Sequence, residues 1–166
     1  MPVIQKFSNP LQNDKIEIST KNINMSIFSI SLSDDAVIHY DEPCALGTIK
    51  IDNFQEDFHA PLTYWSIDDY RKQWREACQD LLNGCEKTAL MVTMYDPEHA
   101  NFLMTWSMYK VENMVHIQNT ILFLDQVSFD EANIAKSISD REIMSEDGDR
   151  ISEWSVSIDA IEKFVG

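Results

Sequence analysis

The pattern of polar and apolar positions changes at Met25. Residues 1–24 are polar and mixed, rich in Asn, Lys, Gln and Ser, and predict an irregular arm with one short extended piece at Ile16 to Ser19. Beyond Met25, Ile27, Phe28, Ile30 and Leu32 are interleaved with Ser, a near period-two pattern that predicts a strand. Ser33-Asp34-Asp35 reads as a turn, Ala36 to Tyr40 as the return strand of a hairpin, and Asp41-Glu42-Pro43 as its break. Gly47 to Phe54 predicts another strand, with Ile49 and Ile51 on one face.

The period then changes from two to 3.6. Ile67, Tyr70, Trp74, Ala77, Cys78, Leu81 and Leu82 recur at steps of three and four and share one helix face, while Arg71, Lys72, Arg75, Glu76 and Asp80 occupy the other. Ser66 suits the N-cap, Asp68 and Asp69 suit the positive end of the helix dipole, and Asn83-Gly84 stops the helix. A helix over 66–83 follows. Next comes a meander of three strands near 88–94, 101–110 and 114–124, joined by Asp96-Pro97-Glu98 and by a tight loop at Glu112-Asn113. In the middle strand Phe102, Met104, Trp106 and Met108 alternate with Leu103, Thr105, Ser107 and Tyr109. After Asp125 the pattern weakens. Asp130 to Ser139 predicts a short helix, Glu146-Asp147-Gly148-Asp149 a turn, Ile151 to Val156 a short strand, and Ser157 the cap of a last helix. The expected architecture is α+β: a central antiparallel sheet packed by one long helix and short C-terminal helices. Trp65, Trp74, Trp106, Ile117, Ile121 and Phe123 are expected in the core.

Charge adds what periodicity cannot. The chain has 28 Asp and Glu against 13 Lys and Arg, a net of −15. Asp125 to Gly166 alone holds 11 acidic and 4 basic residues, about half of that net. Such a field repels phosphate backbones and anionic membranes and attracts basic partners. The N-terminus lacks a basic segment followed by an apolar one, and no apolar run approaches the ~20 residues of a spanning helix. A cytoplasmic protein that binds neither membrane nor nucleic acid directly is expected.

The candidate chemistry is sparse. Cys44, Cys78 and Cys85 are odd in number and form no C-x-x-C pair, so buried reduced thiols are expected rather than a disulfide framework. His39, His59, His99 and His116 fall on separate elements without metal-ligand spacing. The 146–149 acidic turn lacks the alternating ligands of a calcium loop. No phosphate-binding glycine loop or nucleophile elbow occurs. No cofactor, metal or catalytic residue is assigned. Rival readings are a small acidic enzyme of unrecognised class, marked by a convergent polar pocket holding a histidine of shifted pKa, and an acidic interaction module with a different partner.

Several ordered segments carry a resemblance. Pro61-Leu62-Thr63-Tyr64-Trp65 with Tyr70 and Trp74, Met94-Tyr95-Asp96-Pro97-Glu98, Asn101-Phe102, Ile117-Gln118-Asn119, Phe123-Leu124, Asp147-Gly148 and Ile151-Ser152-Glu153-Trp154 together resemble the CdiI immunity proteins of bacterial contact-dependent growth inhibition. The branch is the one paired with a ribosome-inactivating nuclease toxin. The likeness runs from about Met25 to the C-terminus and leaves residues 1–24 as an extension before a single domain over 25–166. It implies an antitoxin that stays in the cytoplasm and sterically covers the basic C-terminal nuclease domain of the CdiA effector, on a Whirly-like fold. Because the shared segments are mostly aromatic and apolar, they are expected to be structural. The toxin-binding surface is then expected on acidic edges: Glu142, Glu146, Asp147 and Asp149, with Asp68 and Asp69 next.

Overall fold

A computed structural model describes residues 26–166. The arm over 1–24, its extended piece at Ile16 to Ser19 and the boundary at Met25 lie outside the described residues. Seven strands form two antiparallel sheets in place of the one central sheet expected. The first sheet is β1 (Phe28–His39), β2 (Glu42–Ile51) and β3 (Phe54–Pro61), in that order. The second is β4 (Lys87–Thr93), β5 (Phe102–Val111), β6 (Met114–Phe123) and β7 (Trp154–Ser157), also in chain order. Helix α1 (Ile67–Leu82) joins the two sheets and α2 (Ile158–Val165) follows β7.

The first sheet departs from the pattern read in the sequence. Ser33-Asp34-Asp35 is not a turn: β1 runs through it as one strand, and the register shifts between Leu32 and Ala36 in a bulge. Polar residues suit such an unpaired excursion as well as they suit a turn. The hairpin closes instead at Tyr40 and Asp41, both at positive φ (47° and 63°), and Glu42-Pro43 opens β2 rather than ending β1. The strand expected over 47–54 divides at Asp52-Asn53, and β3 pairs back from Ile51↔Phe54 to Cys44↔Pro61. Gly47 makes room there for a ring. A Cβ on it would collide with the Phe58 ring lying across it from β3.

Helix α1 begins with a reciprocal cap. Ser66 Oγ accepts from the Asp69 backbone N–H at 3.1 Å, and Asp69 Oδ2 accepts from the Ser66 backbone N–H at 2.9 Å. The apolar face buries Tyr70, Trp74, Ala77, Cys78 and Leu81. Helix side chains also complete the outer edge of β4. The Gln73 amide donates to Ala89 O and accepts from Met91 N–H, and Trp74 Nε1 donates to Met91 O. An edge strand otherwise leaves such groups open to another chain. The Tyr70 hydroxyl ties both sheets to the helix, donating to Pro61 O and accepting from Met94 N–H, each at 2.8 Å.

One face of the second sheet meets the first. Phe54 stacks on Trp154 at 4.1 Å and approaches Trp106 edge-on at 6.0 Å. Trp74, Trp106 and Ile117 are buried as expected, and Trp65 is half-buried. Ile121 and Phe123 are not core residues: each is 46 % exposed, as is their neighbour Phe102. They share the face of Trp106, but the first sheet covers Trp106 and Trp154 and stops short of this end of β5 and β6. The opposite face is covered by the 125–153 segment. There Tyr109 donates to Ser139 O, and the helix expected over 130–139 is a single 3-10 turn, Ile134–Ser137. Ser157 is the N-cap of α2 by position, yet its side chain makes no capping bond.

Candidate functional site

Glu146, Asp147 and Asp149 come together on one exposed turn. Ser145 N–H donates to Asp149 O at 2.7 Å, Gly148 N–H to Ser145 O at 3.0 Å, and Gly148 takes φ +86°. Glu142 precedes this turn, with its carbonyl accepting from Gln118 Nε2 and its side chain exposed. Asp68 and Asp69 lie apart from them on the first turn of α1. Asp69 is occupied by the cap, whereas Asp68 is exposed, 4.0 Å from Arg71.

The histidine with a displaced pKa is His116. Burial pushes it down, the Arg141 charge adds to that, and Glu153 opposes both. Arg141 grips Glu153 through two nitrogens, at 2.8 and 2.6 Å, and this pairing holds the Glu153 carboxyl below its usual range. Gln118 Nε2 donates to the same carboxylate at 2.7 Å. Ser155 Oγ and Glu153 Oε1 both approach Nδ1 of His116, at 2.7 and 3.6 Å. This cluster braces the 141–153 segment against β6 and β7. Burial also raises the Cys78 thiol to about 12, so it is no ready nucleophile. Among the described residues no group of three or more His, Cys, Asp or Glu side chains could hold a metal.

Two cavities meet at the uncovered end of the second sheet and share Tyr95 and Phe102. The first, about 540 Å³, is bordered by Tyr64 and Asp96. The Tyr64 hydroxyl donates to Glu131 at 2.7 Å, and that bond, with the charges of Glu131, Asp96 and Glu98, raises its pKa to about 12. The second, about 340 Å³, opens between β3 and strands β4 to β6. Its floor includes Trp106 and Met104; its sides carry Glu42, Glu56 and the stacked rings of His39 and His59, 3.8 Å apart. Tyr40 edges onto His39 at 4.3 Å and is itself 88 % exposed. Tyr95 donates to Glu42 Oε1 at 2.6 Å.

Comparison with known proteins agrees with this architecture. The family model described as the CdiI N-terminal domain matches residues 60–164. The chain belongs to the CdiI family. The immunity protein CdiI of Enterobacter cloacae subsp. cloacae is 36 % identical over 119 residues, covering 71 % of this chain and 82 % of that protein. Among solved structures, a chain of the CdiA-CT/CdiI toxin and immunity complex from Enterobacter cloacae superposes with a TM-score of 0.78 at 34 % identity, covering 84 % of this chain and 96 % of that one.

Within this CdiI-family fold, the acidic and aromatic residues around the two cavities lie outside the acidic edges expected from the sequence. Tyr95, Asp96, Phe102 and Phe123 belong to the shared segments expected to be structural. Phe102 and Phe123 are instead a cross-strand pair with ring centroids 6.3 Å apart, facing outward. The signal was present in the run of four apolar residues at Ile121 to Leu124, longer than one buried face requires.

Proposed function

We propose that this chain is the immunity half of a contact-dependent growth inhibition pair, a single domain over 25–166 that acts in the cytoplasm. Its partner is the C-terminal toxin domain of a CdiA effector, a basic nuclease, and it neutralises that domain by covering it, without chemistry of its own. The observation that carries this reading is the match along 84 % of the chain to a component of a toxin and immunity complex. The net charge of −15 supports it. A nuclease must attract a polyanion, and carboxylates can occupy the places of its phosphates. Opposite fields raise association rates by orders of magnitude. We assign that steering to Glu142, Glu146, Asp147 and Asp149, with Asp68 and Asp69 as the second group. We liken the fold to Whirly-type nucleic-acid-binding domains, and the net charge of −15 argues against this chain binding nucleic acid itself.

Co-expression tests the reading. Cells making a cognate CdiA C-terminal domain should survive when the chain is present and arrest when it is absent. Arrest in both cases overturns the assignment.

A further inference from the structure

The steering charges leave open where the interface packs, since affinity comes from a few well-packed anchors rather than rim charges. Three observations converge on the smaller cavity. Glu42 and Glu56 both line it, and among the described residues neither has a salt-bridge partner. Aromatic faces surround those carboxylates: Phe58, Phe102, Trp106 and the His39–His59 stack. The volume of about 340 Å³ is at the small end for ligand pockets, suited to one long side chain. Beside it, Phe102, Ile121 and Phe123 present an apolar shelf, each 46 % exposed. Tyr40 stands 88 % exposed at the rim on a positive-φ turn that bulky residues rarely adopt.

We propose that this cleft is the anchor site of the toxin interface, and that it receives a lysine or arginine side chain of the toxin domain while the Phe102–Ile121–Phe123 shelf packs against the apolar residues around it. This rests on the functional reading above and supplies the packed centre that reading lacks. A cation seated over aromatic rings and between two carboxylates gains both cation–π attraction and charge pairing that is less screened than in open water. The chain's net charge of −15 selects a cationic occupant over an anionic one. The site is separate from the 145–149 turn, so steering and anchoring fall on different residues.

Binding kinetics between the full chain and its toxin domain test this. The Phe102→Ala/Phe123→Ala pair, and separately Glu56→Lys on the exposed cleft wall, should each weaken affinity by about 30-fold or more, chiefly through faster dissociation. Reversal of Glu146, Asp147 and Asp149 to Lys should mainly slow association. A Lys/Arg→Glu scan of the toxin should find one position whose lost affinity Glu56→Lys restores. Wild-type affinity in both cleft variants overturns the anchor site while leaving the functional reading intact. Weakened binding by the Phe102→Ala/Phe123→Ala pair with unaltered binding by Glu56→Lys, or no rescued position, overturns the cationic occupant. A wild-type chain that does not bind the toxin overturns the functional reading itself.

Discussion

Trp74 donates its indole N–H to the carbonyl oxygen of Met91 at 2.7 Å, so a helix side chain supplies a hydrogen bond that a neighbouring strand would otherwise supply. Both residues are buried. Trp74→Phe therefore removes ring volume and leaves the Met91 carbonyl without this donor. The expected loss is about 1–3 kcal/mol for the unmet carbonyl, with a further loss from the space vacated. Chemical denaturation of the variant measures it. A midpoint equal to wild type contradicts the edge-sealing role.

The two serine caps separate position from chemistry. Ser66 makes the reciprocal bonds of a capping box, whereas Ser157 Oγ is buried without a partner among the described residues. Ser66→Ala is expected to cost about 1 kcal/mol. Ser157→Ala removes an unmet polar group and should be neutral or stabilising. Thermal melts of the two variants should move in unequal amounts, and equal losses would contradict the assignment.

Stability should fall in acid in two stages. His116 has a lowered pKa in the fold, so the unfolded chain takes up that proton first, and stability declines as pH drops below about 6.5. Glu153 is also lowered, chiefly by the Arg141 bond, so its contribution is present above about 4.5 and is lost as pH falls through its folded value. His116→Gln should flatten the melting temperature between about pH 7 and 5 and leave the lower stage in place. An unaltered slope in the upper stage contradicts the role of His116.

The sequence made legible what periodicity and local chemistry encode. The face of α1 from Tyr70 to Leu81, its Ser66 cap and the β4–β5–β6 meander stand as read, because each repeats a burial pattern over several turns or pleats. The first sheet was less legible. Its bulge at Ser33–Asp35 uses the same residues as a turn, its real turn at Tyr40–Asp41 contains no glycine, and β3 interrupts its apolar positions with Gln55, Glu56, Asp57 and His59. The cleft was not legible at all, because Glu42, Glu56, Tyr95 and Phe102 come from four separate stretches that only the packing of two sheets unites.

The strained turn offers a way to separate stability from function. Asn and Gly adopt positive φ more readily than Tyr and Asp do. Tyr40→Asn with Asp41→Gly should raise stability by about 1 kcal/mol or more, yet weaken toxin binding by removing the aromatic rim. A variant that is both more stable and equally tight would show that Tyr40 lies outside the interface.

The most direct measurement mixes the purified chain with the cognate CdiA C-terminal domain proposed as its partner and records complex formation against ionic strength. The account predicts a one-to-one complex whose association rate falls by about tenfold or more between low salt and 0.5 M. Absence of a complex, at any salt concentration, would contradict it.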